Sequence, residues 1–234
     1  MPEQSLVPLE VAHGHDRLFV DHRSGSGSAH LLAIHGGGAA QAGIFDGVRA
    51  ELAQHGVGST AFDCIGHGRT GGDKFGTSLQ ERTAQARAVI EATRRPTAII
   101  GSSMGAYNAI RLSEALDLRA LVLVVPGVYC PEAYDVPFGP AFSRLIRQPR
   151  SWADSDAWMT LSRFRGRLLV IAAGQDEVVP PEIPQRLHDA AVNAEWRSLL
   201  VVPDAPHSGL LARMLDDPRW RGVFLRRLID CVGV

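Results

Sequence analysis

A chain of 234 residues is long enough to bury one sizeable core and short for two. With 45% hydrophobic and 21% charged residues it has the composition of a globular protein, which excludes a disordered or fibrous chain. A formal net charge of −1, with Lys74 the single lysine among scattered arginines, excludes a one-signed field that would steer it to nucleic acid or an acidic lipid surface.

The start, Met1-Pro2-Glu3-Gln4-Ser5, lacks a basic segment followed by an apolar one, so no signal peptide is expected. No apolar run approaches the ~20 residues of a membrane span. Leu6 to Ala12 and Arg17 to His22 flank His13-Gly14-His15-Asp16 and predict an antiparallel hairpin. Ser24-Gly25-Ser26-Gly27-Ser28 is expected to make a flexible surface turn. Six apolar runs follow: Leu31 to His35, Ser59 to Asp63, Thr97 to Ser102, Ala120 to Val125, Leu168 to Ala173 and Ser198 to Val202. They alternate little in polarity, which suits parallel strands covered on both faces. Between and after them, Gly43 to His55, Leu79 to Thr93, Met104 to Leu116, Pro181 to Val192 and Trp220 to Cys231 carry a helical period.

The segment from Gly127 to Arg165 interrupts the alternation with prolines and aromatic residues. Its helical pieces, Pro140 to Arg147 and Asp154 to Phe164, predict a small cap over residues 127–165. It is too short to stand alone, so residues 1–234 are expected to form one domain. The three cysteines, Cys64, Cys130 and Cys231, are odd in number and widely spaced, which predicts neither a disulfide framework nor a metal site. A reduced cytoplasmic protein is expected.

Gly101-Ser102-Ser103-Met104-Gly105 matches Gly-x-Ser-x-Gly. By itself the pattern is common. Here it closes the apolar run Thr97-Ala98-Ile99-Ile100 and opens the helical run from Met104, which is the strand–turn–helix setting the motif requires. A turn this sharp strains the serine, and flanking glycines let strand and helix pass closely. The blander alternative for Ser103 is a helix N-cap. Ser102 is expected to point elsewhere.

Taken with two further segments, the elbow makes the chain resemble the α/β-hydrolase fold superfamily over nearly its whole length. Ile34-His35-Gly36-Gly37-Gly38 resembles that family's oxyanion loop after its third strand, and Asp63-Cys64-Ile65-Gly66-His67-Gly68-Arg69-Thr70 its Asp-x-x-Gly-His-Gly-x-Ser loop, with Thr70 in place of serine. The resemblance implies a mostly parallel sheet of about eight strands flanked by helices, with a small helical cap. It also implies the chain order serine, acid, histidine.

A serine hydroxyl needs a histidine to take its proton and a carboxylate to orient that histidine. Only His188 and His207 follow Ser103. His188 falls in a helical stretch, whereas His207 lies in the loop Pro203 to Gly209 after the last predicted strand, the family's place for the base. Asp176 stands in Gly174-Gln175-Asp176-Glu177-Val178-Val179-Pro180, which resembles the family's Gly-x-x-Asp-x-x-Val-Pro segment. Glu177 and Asp204 are the alternatives; Asp204 is expected to cap its own loop. The oxyanion donors implied by the resemblance are the backbone N–H groups of Met104 and Gly37, with Gly38 as substitute if the loop register differs.

None of the remaining histidines has metal-ligand spacing, so no metal and no cofactor are expected; His35 and His67 are expected to support the loops around the pocket. The resemblance implies a serine hydrolase acting on a carboxylic ester or thioester through an acyl-enzyme on Ser103. A carbon–carbon bond hydrolase, a cofactor-free lyase or an acyl transferase would use the same residues. From a different class, a non-catalytic binding module would share the scaffold. The aromatic cap predicts a small-molecule partner with an apolar acyl or aromatic group; oligomeric state is not legible.

Overall fold

The computed structural model describes residues 6–234; Met1 to Ser5, where no leader is expected, lie outside the described residues. Eight strands form one sheet: β1 (Leu6–His13), β2 (Asp16–Arg23), β3 (His30–Ile34), β4 (Gly58–Phe62), β5 (Ala98–Ser102), β6 (Ala120–Val124), β7 (Arg167–Gln175) and β8 (Trp196–Pro206). Their order is β1-β2-β4-β3-β5-β6-β7-β8. β1 runs antiparallel to β2 and β2 to β4, while every later neighbour pair is parallel. The expected hairpin therefore forms the edge of an otherwise parallel sheet.

The helices are α1 (Asp46–Gln54), α2 (Leu79–Ala92), α3 (Met104–Ser113), α4 (Pro140–Ile146), α5 (Ala157–Arg163), α6 (Glu182–Ala190), α7 (Leu210–Asp216) and α8 (Pro218–Val232). Strand side chains alternate between the two faces of the sheet, and both faces are covered. Leu32 and Ile34 of β3, with Leu121 and Leu123 of β6, pack in the layer that holds Leu79, Ile110, Leu161 and Leu187. Their neighbours Leu31, Ala33, Ala120 and Val122 face the other layer, with Val48, Leu52, Met214, Phe224 and Leu228. Two apolar layers explain why the runs show so little polar alternation.

Local chemistry sets several boundaries. Ser78 Oγ accepts the Glu81 N–H and caps α2. Asp217 caps α8 with Pro218 in its first turn, and Gly233 ends it at φ 76, so this helix begins before the expected Trp220. The predicted Gly43 to His55 helix starts instead as a 3-10 turn, Ala42–Phe45, before α1.

Three further features depart from expectation. α7 falls where no helix was predicted, because seven residues carry too little period to read. The glycine–serine tract lies at the surface as expected but is tied to the turn before β4: Gly27 N–H donates to the Gly56 carbonyl at 2.9 Å. A Cβ on Gly25 would stand 2.7 Å from the Val57 carbonyl carbon, so this contact requires glycine. Asp204 lies exposed within β8, not in a loop it could cap, because β8 continues to Pro206. Among the described residues, no helix is long and apolar enough to cross a membrane.

Candidate active site

Every predicted site residue follows the carboxyl end of a parallel strand, the rim where ligands bind in open α/β sheets. Ser103 joins β5 to α3 at φ 52 and ψ −118, outside the regions an ordinary residue occupies. Its neighbours make the turn possible. A Cβ on Gly101 would stand 2.7 Å from Ala106 Cα, and one on Gly105 would stand 2.5 Å from the His35 carbonyl oxygen. Three backbone bonds hold the bend: Ser103 N–H donates to the Val124 carbonyl at 2.8 Å, and its own carbonyl accepts from Ala106 (3.0 Å) and Gly127 (3.1 Å). The next strand end is also strained, with buried Val125 at φ 41 turning the chain out of β6 toward Gly127.

Asp176 and His207 are brought together by β7 and β8. From Ala173 to Gln175 on β7, β8 advances from Val202 to Pro206, and this bulge sets Gln175 opposite Pro206. The next residue of each chain is then Asp176 and His207. His207 Nδ1 lies 3.0 and 2.8 Å from the two Asp176 carboxylate oxygens, and its Nε2 lies 3.0 Å from Ser103 Oγ. Asp176 Oδ1 also accepts the N–H groups of Val178 and Val179, each at 2.8 Å. With Nδ1–H donated to the carboxylate, Nε2 is the acceptor and the serine hydroxyl is its donor. As the first residue before α3, Ser103 makes no side-chain cap bond to the helix. Its hydroxyl is turned to His207 instead.

The alternatives fall elsewhere. Glu177 and Asp204 are exposed and form no hydrogen bond with His207 among the described residues. His188 sits on α6, bonded to Asp189. The loop after β3 meets the elbow directly: a Cβ on Gly36 would be 3.6 Å from Ser103 Oγ, and one on Gly37 would be 3.3 Å from Met104 Cε. Gly38, at φ 67, lines the same cavity as Gly37 and Met104, with no atom within 4 Å of where its Cβ would stand. The Met104 N–H opens α3, where amide groups lack intrahelical acceptors and the helix dipole favours a developing anion.

Behind the loop after β3, His35 is fully engaged. Its Nδ1–H donates to the Gly36 carbonyl at 2.6 Å and its Nε2 accepts the Cys64 N–H at 3.0 Å. Burial first, then the neighbouring Arg82, hold its imidazole well below the ordinary histidine range, so it stays neutral. Asp63 Oδ1 accepts from Ala42 N–H at 2.7 Å and Oδ2 from Arg69 N–H at 2.9 Å, and so ties the loops after β3 and β4. Thr70, where the family pattern has serine, donates to the Asp63 carbonyl at 2.6 Å and accepts from Phe19 N–H at 2.8 Å.

A cavity of about 390 Å³ opens beside Gly37 and Met104, and Phe138 and Phe142 from the segment after β6 wall it. Phe142 contacts Tyr129, whose ring meets Tyr107 edge-on with centroids 5.4 Å apart. Burial pushes the Tyr129 phenol up to about 12, so it remains protonated. Its hydroxyl lies 3.1 Å from where a Gly127 Cβ would stand. The segment is anchored on α3: Asp156 accepts from Tyr107 Oη at 2.8 Å and pairs with Arg111.

Tyr129 and Phe142 belong to the aromatic segment that the sequence predicts as a cap; sequence reasoning missed Arg82 as a site-shaping residue. For Arg82 a signal exists. Its position falls on the apolar stripe Leu79, Thr83, Ala86 and Val89 of α2, and a charge on a buried face asks for a reason.

Comparison with known proteins agrees with this architecture. The model of the alpha/beta hydrolase family matches residues 31–229. The Mycobacterium tuberculosis (strain H37Rv) protein named "Uncharacterized protein Rv2307c" is 30% identical over 203 residues, which cover 81% of this chain and 66% of that protein. The chain thus spans just under two thirds of that relative's length. Among solved structures, the Pyrococcus furiosus esterase Pf2001 superposes with a TM-score of 0.71 at 20% identity, over 98% of this chain and 93% of that one. A Paleococcus ferrophilus monoacylglycerol lipase gives 0.66 at 19% identity, over 97% and 98%. The thioesterase domain from the curacin biosynthetic pathway gives 0.64 at 17% identity, over 90% and 99%. At such identities the structural likeness speaks for the fold. With a family model matched from β3 into α8, the chain belongs to the alpha/beta hydrolase family.

Proposed function

We propose that this chain is a serine hydrolase that cleaves a carboxylic ester or thioester through an acyl-enzyme on Ser103. The observation that carries the reading is the continuous hydrogen-bonded line from Asp176 through His207 to a strained Ser103 whose hydroxyl caps nothing. His207 Nε2 takes the Ser103 proton as Oγ attacks the acyl carbon. Asp176 stabilises the imidazolium, and the N–H groups of Gly37 and Met104 bind the oxyanion. Collapse breaks the bond to the leaving group, which takes the proton from His207. Water, deprotonated by the same imidazole, then releases the acid and restores the serine.

We read residues 1–234 as one domain and residues 127–165 as its cap. The aromatic wall of the cavity favours an apolar acyl or aromatic group. All three cysteines are free and buried, which suits a reducing compartment, and we place the protein in the cytoplasm.

The test is labelling by a fluorophosphonate together with turnover of p-nitrophenyl esters and acyl thioesters of graded chain length. Wild-type protein is expected to label on Ser103, and medium acyl chains to be turned over faster than strongly charged ones. Ser103→Ala is expected to abolish labelling and lower kcat by about 10⁴-fold or more. Unchanged turnover in that variant would sink the assignment. Product partition to an added alcohol would point to acyl transfer.

A further inference from the structure

The Gly36 carbonyl and the Gly37 N–H belong to one peptide unit. That carbonyl accepts two hydrogen bonds, from His35 Nδ1 at 2.6 Å and from Arg82 Nη2 at 3.2 Å. Arg82 Nη2 also donates to the His35 carbonyl at 2.5 Å. Arg82 reaches the loop from α2 and is 1% exposed. Its Nε lies 3.4 Å from Asn108 Oδ1, on α3. The Asn108 amide is oriented by donating to the Leu79 carbonyl at 2.9 Å and to Thr83 Oγ1 at 3.0 Å, which leaves Oδ1 for the guanidinium.

What Arg82 lacks is a counterion. It forms no ion pair among the described residues, and its Nη1 has no hydrogen-bond partner. Burying a cation without a carboxylate costs stability, and an apolar side chain of similar length on the same stripe would avoid that cost. The adjacent histidines cannot serve as counterions, and burial together with Arg82 disfavours their protonation, so they add no second positive charge. The carbonyl oxygens of His35 and Gly36 and the Asn108 oxygen solvate the guanidinium without cancelling its charge, which leaves that charge able to act on a negative charge that develops nearby.

We propose that Arg82 is a positioning residue for the oxyanion: it clamps the Gly36–Gly37 peptide and sets a positive charge behind it. A donor on the carbonyl oxygen draws electron density through the amide, so the N–H on the same unit becomes a stronger donor. A buried guanidinium one peptide away also lowers the energy of negative charge as it develops on the substrate oxygen. The ground-state ester carries no such charge, so the benefit falls on the transition state. The inference rests on reading Gly37 N–H as an oxyanion donor.

The experiment compares wild type with Arg82→Met, Arg82→Gln and Arg82→Lys, using p-nitrophenyl butyrate and an alkyl boronic acid that forms an anionic tetrahedral adduct on Ser103. Arg82→Met is expected to lower kcat about tenfold to a hundredfold with KM within about threefold, and to weaken the boronate by the same factor as kcat/KM. Its melting temperature is expected to hold or rise, because a buried unpaired charge is gone. Arg82→Lys is expected to recover boronate affinity at least about fivefold over Arg82→Gln, which can donate but carries no charge. Unchanged kcat and boronate affinity in folded Arg82→Met would overturn the proposal. So would a loss that tracks a fallen melting temperature and is no smaller in Arg82→Lys. If Arg82→Met does not fold, the comparison of lysine with glutamine decides, and equality overturns it. Failure of wild-type protein to label with fluorophosphonate or turn over any ester would instead refute the serine-hydrolase reading, and this inference with it.

Discussion

The Ser103 backbone sits at φ 52, a conformation that costs on the order of 1–3 kcal/mol for a residue with a side chain. The chain tolerates it because bonds to Val124, Ala106 and Gly127 over-determine the bend. The geometry of the proposed acid is set at the same scale. Asp176 holds His207 in the tautomer whose free lone pair faces Ser103, while two amide groups keep the carboxylate from rotating. Asparagine there would turn an N–H toward the ring and favour the wrong tautomer. Asp176→Asn is therefore expected to lower kcat by about 10⁴-fold without displacing the side chains. Asp204→Asn, exposed on β8, is expected to stay within about twofold of wild type. Steady-state kinetics on one activated ester checks both, and a large loss in Asp204→Asn would reassign the acid. These residues were legible because the chemistry demands particular types in a particular chain order. For Arg82 only its place on a buried stripe was legible; its partners, two backbone carbonyls and Asn108 Oδ1, were not, since no sequence pattern advertises them.

The β5–α3 unit depends on two glycines that let helix and strand approach. Gly105 faces the His35 carbonyl, so a methyl group there cannot be absorbed by a side-chain rotation. Gly105→Ala is expected to cost at least about 3 kcal/mol, a fall in melting temperature on the order of 5–10 °C for a chain of this size. Thermal unfolding followed by circular dichroism measures it, and a shift under about 2 °C would show that the loop can move aside. Most strands and long helices were legible because two apolar layers write long unbroken runs. α7 was not, being under two turns long, and neither was the bulge at Ala173/Gln175. That bulge carries the site: without it Pro206 would not oppose Gln175, and His207 would not follow Asp176 in space.

Stability of the whole molecule is expected to fall on mild acidification. His30 is 1% exposed, with Nε2 2.8 Å from Thr60 Oγ1, and its pKa is pulled from 6.5 to about 4, by burial first and by His22 and nearby arginines next. His22, His35 and His67 are shifted the same way. Below 6.5 the unfolded chain binds protons that the folded one refuses, so stability is full above that value and is lost as pH falls toward about 4. For His30 alone the loss by about pH 5 is roughly 2 kcal/mol. Urea midpoints at pH 7.5 and about pH 5 test it, and His30→Gln is expected to flatten the difference. An unchanged slope in that variant would remove His30 from the account.

The sequence by itself determined the layered α/β architecture, the elbow and the types of residue available for its chemistry. These follow from local propensity, apolar periodicity and motif spacing, which are written within a few residues of one another. Only the tertiary structure decided the rest. It set Asp176 rather than Glu177 or Asp204 against His207, turned the Ser103 hydroxyl away from its helix, and put the buried Arg82 guanidinium behind the loop after β3. The reason is physical: each depends on register and close approach between segments tens of residues apart, and such distances are fixed by packing and not by neighbours in the chain.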